Sequence, residues 1–143
     1  MRRSPLRKQG QSETSKAKHR IQALLREIKI KEQGDCWVKL EGITEFGPCD
    51  EVFQYDHLET RSKNISYSDP RLGVLVCKRH HFYHGSPRRE QRERYEELVR
   101  KFIGEKRAAL WGRVRADGKA HPMGIFDWNK IIMALEQELR ELS

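Results

Sequence analysis

The sequence has no apolar run long enough to cross a bilayer and no segment with the pattern of a secretory signal peptide. These absences favour a cytosolic (cytoplasmic) protein with no membrane partner, in a compartment that keeps thiols reduced. Cysteine is scarce: Cys36, Cys49 and Cys77 are the three in the chain, an odd number. Such a set favours metal ligation over disulfide bonds.

Apolar residues are few as well. The hydrophobic fraction is 36%, and charged residues make up 35% of the 143 positions. This length suits one domain with a small core, and small cores often depend on a staple such as a metal ion. A structural cation is therefore a reasonable expectation before any motif is considered.

Positive charge is concentrated at one end. The net charge is +8; residues 1–31 hold ten Lys and Arg against two acidic residues, whereas residues 32–143 hold nineteen of each sign. A basic N-terminal segment is the electrostatic footprint of a polyanion, most often nucleic acid. The alternative is a solvated tail that aids solubility.

The N-terminal third divides into two predicted segments. Residues 1–14 lack apolar periodicity and predict a disordered basic arm. Residues 15–34 predict a basic amphipathic helix that Gly34 closes. The polar face of this helix is predicted to contact phosphates through Lys16, Lys18, Arg20, Arg26 and Lys29.

The rest of the chain divides into a mixed core at 35–87 and a helical extension at 88–143. The core has predicted strands at 52–55 and 72–76, joined by a polar loop. The extension has predicted helices at 88–112 and 127–142, the second with Asp127 as a candidate N-cap. These elements predict the α+β fold class.

The stretch CKRHHFYHG carries the densest chemistry in the chain. Cys77-x-x-His80 has the spacing of half a zinc knuckle, because two ligands on a tight turn can approach one tetrahedral ion. Cys36 and Cys49 would form the other half, although their separation is long for a compact knuckle. The alternative is three unconnected small apolar residues. Lys78 and Arg79 flank the site as candidate phosphate contacts or as solvated charges.

A second constellation pairs Asp56-His57 with His81, which follows His57 by 24 residues. Asp56 offers a carboxylate ligand for Mg2+ or a similar divalent ion, and His81 can complete that metal site. His57 is then placed to deprotonate an attacking water. A metal, a base and a basic surface are the parts that phosphodiester hydrolysis requires.

The order of these motifs resembles that of the HNH (ββα-metal) endonucleases: a strand, D-H-L, a loop, a strand ending in L-V-C-x-x-H-H, then a helix. The resemblance implies a small ββα-metal core with a structural Zn2+ and a catalytic Mg2+ or Mn2+. It makes Asp56 and His81 ligands of the catalytic ion and His57 the general base. It also makes Cys77 and His80 knuckle ligands, and His84 a basic or third metal-binding residue.

A wider resemblance is to the phage recombination proteins of the NinG/Rap type. It rests on the basic N-terminal segment and on the stretch YEELVRKFIG after the histidine cluster. It implies hydrolysis of DNA at branched recombination intermediates, within a host cell if the chain is phage-encoded.

Two departures from the HNH pattern keep alternatives open. The middle Asn of the motif is absent before the second strand, and Asp69 or Asn64 are the candidates to replace it. His80 and His84 are four apart, so on a helix they share a face and could pair on one metal instead. The alternative functions are a zinc-stabilised nucleic-acid-binding module without catalysis and a protein-interaction adaptor that uses the last helix.

Overall fold

The computed structural model describes residues 5–59, 64–117, 121 and 123–143, with side chains described for 13–59, 66–117, 121 and 123–143. In chain order the elements are α1 (Pro5–Glu32), α2 (Trp37–Leu40), β1 (Phe53–His57), α3 (Asn64–Tyr67), β2 (Gly73–Cys77), α4 (Lys78–His81), α5 (Arg89–Ile103), α6 (Glu105–Ala116) and α7 (Ile125–Glu141). Short 3₁₀ turns precede β2 and follow α4. The mixture of helices with an antiparallel sheet confirms the predicted α+β class. Within the described ranges, no helix combines the length and apolar character that a membrane span requires.

The sheet is a hairpin of two antiparallel strands, in which Phe53 lies opposite Cys77 and His57 opposite Gly73. Both strands begin and end later in the chain than predicted, and the Asp-His pair forms the last two residues of β1. The other edge of β2 is closed by Gln33, whose amide donates to the carbonyl of Leu75 at 2.8 Å and accepts from its N–H at 3.0 Å. A side chain thus replaces the missing third strand at this edge.

Two apolar clusters lie on opposite sides of the hairpin. The first joins the cysteine-containing loop to α5 and α6 around the buried Trp37 and Trp111. The second joins α1 to α7 around Leu24, Leu25 and Trp128. The first and last helices therefore pack together. The predicted helical extension does not form one unit, because α5 and α6 bury their apolar faces in the first cluster and α7 buries its apolar face in the second.

The first helix is longer than predicted. α1 begins at Pro5 rather than Ser15, so positions 5–14 are helical where the sequence predicted a disordered arm. Residues 1–4 of that predicted arm lie outside the described residues. The helix ends as expected, because Gly34 adopts a φ of +84° and its N–H bonds back to the carbonyl of Lys29 at 3.3 Å.

The C-terminal helices also differ from prediction at their ends. The single helix predicted for 88–112 is divided at Gly104, whose φ of +86° interrupts the helical backbone between α5 and α6. α7 starts at Ile125, and the carboxylate of Asp127 accepts a hydrogen bond from the N–H of Gly124 at 3.0 Å. Asp127 therefore stabilises the first turn from within the helix and is not its N-cap.

Candidate functional site

Three cysteines and a histidine converge on one point beneath the hairpin. The Sγ atoms of Cys36, Cys49 and Cys77 lie 3.7, 3.5 and 3.2 Å from Nδ1 of His80. Because zinc holds thiolate sulfur at about 2.3 Å and imidazole nitrogen at about 2.0 Å, a tetrahedral site needs sulfur-to-nitrogen separations of about 3.5 Å. The observed separations bracket that value, so this cluster, the Cys3His knuckle, could hold a metal such as zinc.

Cys36 and Cys49 are far apart in sequence, but α2 and the loop that follows it bring them together. Gly42 and Gly47 have φ values of +67° and +79°, which fold this loop back over the knuckle. The loop also supplies an outer contact, since Nε2 of His80 lies 2.9 Å from the carbonyl of Gly47. A ring N–H donated to that carbonyl leaves Nδ1 as the free lone pair for a cation.

The thiols of Cys36 and Cys77 are buried, and that of Cys49 is half-buried. Burial raises the pKa of Cys36 and raises the pKa of Cys49 to about 12 when no cation is bound. Ligation requires thiolates, so a cation that enters this cluster displaces protons from it.

A second cluster lies on the other side of α4, and we call it the Asp-His-His cluster. Oδ1 of Asp56 lies 2.6 Å from Nδ1 of His84 and 3.3 Å from Nε2 of His81. Oxygen and nitrogen ligands at right angles, each about 2.1 Å from one ion, lie about 3.0 Å apart. The donor set of one carboxylate and two imidazoles therefore fits a divalent cation.

The two clusters separate the adjacent histidines. Cys77 ends β2 and α4 follows it at once, so His80 points into the knuckle while His81 faces β1. The alternative pairing of His80 with His84 is not what the structure contains, because His80 belongs to the knuckle and His84 to the Asp-His-His cluster.

Two further residues orient the Asp-His-His cluster. Oε1 of Gln54 lies 2.6 Å from Nδ1 of His81, which places the proton on Nδ1 and turns Nε2 towards Asp56. The hydroxyl of Tyr95 donates to Oδ2 of Asp56 at 2.6 Å, so that Oδ1 is the oxygen that faces the imidazoles. Both contacts fix a ligand without occupying its metal-binding atom.

The electrostatics of this cluster keep Asp56 ionised. Its side chain is 1% exposed, and burial alone would raise the pKa of the carboxyl, but the hydrogen bonds with His81 and His84 outweigh burial and bring the pKa well below its ordinary value. Burial opposes the charged form of His84, and the contact with Asp56 overcomes this effect and raises the pKa of the imidazole. A cation that binds here would interact with the negative carboxylate and would displace the protons that the ring nitrogens share with Asp56.

The predicted general base lies beside this cluster, at the end of β1. His57 is 7% exposed, and its ring stacks on Tyr67 with centroids 4.8 Å apart and meets the edge of Tyr55 at 4.9 Å. It also lines the same cavity as Asp56 and His81. The structure thus brings the three predicted catalytic residues to one cavity.

That central cavity has a volume of about 590 Å³. A cavity of about 300 Å³ towards α1 shares Gln54 and His81 with it, and another of about 330 Å³ towards α5 shares His84 and Arg115. The three cavities together form a trough across the molecule, with the Asp-His-His cluster at its middle. Further lining residues are Arg26 towards α1, Lys78 at the centre, and Arg89 and Arg92 towards α5.

The basic residues predicted to contact phosphates have different placements. Lys16, Arg20, Arg26, Lys78 and Arg79 are exposed. Lys18 is half-buried, with its ammonium 5.2 Å from the ring centre of Trp128. Arg20 also contacts Glu136, and Arg26 donates to the carbonyl of Phe53.

Lys29 does not belong to this set. It is 5% exposed, and its ammonium lies 3.1 Å from a carboxylate oxygen of Glu32. Burial lowers the pKa of Lys29, and the nearby Arg107 lowers it further. The helical repeat placed Lys29 on the basic face, but α7 and the hairpin cover this end of α1, so the prediction that Lys29 contacts phosphate is wrong.

The two candidates for the missing Asn differ in what the structure describes. The carboxylate of Asp69 is engaged by the guanidinium of Arg71 at 3.0 and 2.8 Å, while its carbonyl accepts from the hydroxyl of Tyr55 at 3.2 Å. Asp69 therefore anchors a ring that packs on His57, and its carboxylate is not in the trough. Asn64 begins α3, and its side chain lies outside the described residues.

Sequence reasoning missed Gln54, Tyr95 and Arg115. Gln54 had a detectable signal, because it precedes Asp56 by two positions in a strand and so shares its face. Tyr95 lies in the helical stretch YEELVRKFIG, and nothing local in that stretch indicates a polar partner. Arg115, which pairs with the buried Glu59 at 3.2 Å and with Glu96 at 2.7 Å, reaches the cavity wall only through the packing of α6.

Comparison with protein-family models, with curated proteins and with solved structures gives no match for this chain. The arguments that follow therefore depend on the geometry of the two clusters and the trough.

Proposed function

We propose that this protein is a metal-dependent endonuclease of the HNH (ββα-metal) type that hydrolyses DNA. The observation that carries the proposal is the convergence of Asp56, His81 and His84 on one possible cation position, with His57 on the wall of the same cavity. The hairpin β1–β2 followed by α4 supports the ββα-metal comparison, because β1 and α4 contribute residues to the cavity and β2 leads directly into α4.

The knuckle has a structural part in this proposal. Its four ligands lie outside the trough. The backbone of α4 connects the two sites, because it carries His80 of the knuckle and His81 of the Asp-His-His cluster in succession. A zinc ion bound there would fix the start of α4 against the loop and so fix the position of His81. Structural zinc sites contribute directly to folding in small domains.

The donor set of the Asp-His-His cluster bears on the choice of catalytic ion. Mg2+ prefers an all-oxygen shell, whereas imidazole nitrogen suits transition metals. With two imidazoles among three donors, Mn2+ is expected to support activity at lower concentration than Mg2+. The ion would supply neutralisation of the negative charge on the scissile phosphate and on the leaving oxygen.

The protein groups would perform the proton transfer and the orientation. A ring nitrogen of His57 would accept a proton from the water whose oxygen attacks phosphorus, as the bond to the leaving oxygen breaks. Tyr67 and Tyr55 fix the plane of that ring by packing on both sides of it. Gln54 would hold His81 in the tautomer that ligates through Nε2.

The trough supports a nucleic acid as the substrate. It carries Arg26 near one end, Lys78 near the middle and Arg92 near the other end, so cationic side chains lie on both sides of the Asp-His-His cluster. Phosphates that flank a scissile bond need such partners. Branched recombination intermediates are the substrate that the NinG/Rap resemblance adds, and a four-way DNA junction tests them.

The deciding experiment is nicking of supercoiled plasmid and of a four-way junction in Mn2+ and in Mg2+. Wild type is expected to nick, and His57→Ala is expected to lose at least about a hundredfold of the rate because general-base catalysis contributes that much. DNA binding, measured by fluorescence anisotropy, should persist in the variant. His19→Ala is the matched control, since His19 is an exposed histidine of α1 outside the trough.

The second candidate is a zinc-stabilised nucleic-acid-binding module without catalysis. The burial of His57 between two tyrosines favours it, because a general base must reach a water molecule. Salt-sensitive DNA binding, with no nicking by wild type in either metal, selects this candidate over the endonuclease.

A further inference from the structure

Tyr95 contacts the Asp-His-His cluster directly, and it contacts Trp37, the neighbour of the knuckle ligand Cys36. Its side chain is fully buried on α5. The ring stacks on His84 of the Asp-His-His cluster, with centroids 5.3 Å apart and planes 17° from parallel. On another side it meets the edge of Trp37, the residue that follows Cys36 of the knuckle, at 5.1 Å.

The hydroxyl of Tyr95 joins two hydrogen bonds that lead from Trp37, which is bonded through the backbone to Cys36 of the knuckle, to Asp56 of the other cluster. It accepts from Nε1 of Trp37 at 3.1 Å and donates its only proton to Oδ2 of Asp56 at 2.6 Å. Trp37 can only donate and an ionised Asp56 can only accept, so the direction of both bonds is fixed. The two bonds therefore have one arrangement, which runs from Trp37 to the carboxylate.

This arrangement determines which oxygen of Asp56 is presented to a cation. With Oδ2 held by Tyr95, Oδ1 faces His81 and His84. Without the hydroxyl the carboxylate loses this anchor, and a bound ion must then order it. Groups that orient metal ligands in this way commonly change metal affinity by about 10- to 100-fold when they are removed.

We propose that Tyr95 is a positioning residue that couples the two clusters, so that the cation affinity of the Asp-His-His cluster depends on its hydroxyl and, through Trp37, on an ordered knuckle. The proposal rests on the metal site of the proposed function and does not require cleavage of any substrate. It assigns to the knuckle a second task besides folding, which is to set the orientation of a ligand on the other side of α4.

The test measures Mn2+ binding to the zinc-loaded full chain without DNA, from the electron paramagnetic resonance signal of free Mn2+. Tyr95→Phe keeps the ring contacts and removes the hydroxyl, and its Mn2+ affinity is expected to fall about tenfold or more. Tyr83→Phe is the matched control: this tyrosine also packs near the knuckle, against Phe46, and its hydroxyl has no hydrogen bond among the described residues. Zinc content and the thermal midpoint are measured for each variant to show that the fold is intact.

A second variant keeps the test decisive if Tyr95→Phe loses its zinc. Trp37→Phe keeps the hydroxyl of Tyr95 and removes its donor from the knuckle side together with part of a buried ring, and a smaller but measurable weakening of Mn2+ binding is expected in protein whose zinc content and thermal midpoint are unchanged. Unchanged Mn2+ affinity in Tyr95→Phe overturns the positioning role, and unchanged affinity in Trp37→Phe overturns the coupling. Absence of Mn2+ binding by wild type overturns both, whereas failure to nick DNA bears only on the endonuclease proposal.

Discussion

At the residue scale, Gly73 shows how closely the hairpin is packed at the candidate site. A Cβ atom added there would lie 1.8 Å from the hydroxyl oxygen of Tyr55, inside any allowed contact. Tyr55 in turn packs on His57 and is anchored by the carbonyl of Asp69. Tyr55, and the predicted base His57 that it packs on, can therefore occupy their positions only because residue 73 has no side chain.

We expect Gly73→Ala to lower the free energy of unfolding by about 1–3 kcal/mol, because overpacking must displace Tyr55 or the strand. Urea denaturation followed by circular dichroism measures it. Gly112→Ala is the control, since no heavy atom lies within 4 Å of the added Cβ on α6 and alanine is the better helix former by about 1 kcal/mol. Equal stability of Gly73→Ala and wild type would contradict the close contact.

At the scale of elements, the knuckle joins α2, the loop that follows it, β2 and α4 at one point. The loop between α2 and β1 contains Gly42 and Gly47 at positive φ and has no strand or long helix of its own. Backbone N–H groups of α4 hold the far end of this loop, Arg79 to a carboxylate oxygen of Asp50 at 2.9 Å and Lys78 to the carbonyl of Val52 at 2.7 Å. Cys49 adds a further attachment, because it meets the ligands of β2 and α4 at the possible metal position. A cation at that point would close the loop and stabilise the start of α4 together.

Removal of one knuckle ligand should therefore remove both metal and stability. Cys77→Ser is expected to contain less than one zinc per chain by elemental analysis and to unfold at a lower temperature than wild type. Chelation of wild type should lower its thermal midpoint in the same way. A Cys77→Ser protein that retains one tightly held zinc and the wild-type midpoint would exclude a structural metal in the knuckle.

At the scale of the whole molecule, the distribution of positive charge over the surface differs from its distribution along the sequence. The excess lies in the first 31 residues. In the folded chain Lys29 is buried, whereas Arg92 of the electrically balanced remainder lines the trough. Electrostatic attraction of a polyanion depends on where the charges lie in space, so net charge alone does not identify the contacts.

This difference predicts two salt dependences. Lys78→Ala and Arg92→Ala should each weaken DNA binding and reduce the slope of log affinity against log salt by about one phosphate contact. Lys29→Met should leave that slope unchanged, because this lysine is withdrawn from solvent. Binding isotherms at several salt concentrations provide the slopes, and Lys130→Ala on the exposed side of α7 is the control. A larger loss from Lys29→Met than from Lys78→Ala would contradict the trough as the binding surface.

Local spacing made much of the candidate site predictable. Cys77-x-x-His80-His81 lies on one strand-to-helix turn, so the separation of its side chains follows from neighbouring backbone geometry. Asp56 was identified from its place beside His57 at the end of a predicted strand, and the two strands were predicted with errors of one or two residues at their ends. The apolar faces of the helices that form the two cores also follow from local sequence, because apolar residues recur with a period of about 3.6 residues in an amphipathic helix.

The sequence by itself indicated the α+β class and the candidate ligand types of both clusters, since Cys77, His80, His81 and His84 lie in one short stretch and the helices and strands follow from local patterns. Only the tertiary structure decided that Tyr95 holds Asp56, that Arg115 reaches the cavity wall and that Lys29 is buried. Each of these contacts joins elements far apart in sequence. The residue pattern within one element does not indicate which of its residues another element will cover. The physical reason is that burial and hydrogen-bond partners are properties of the packed assembly of helices and strands.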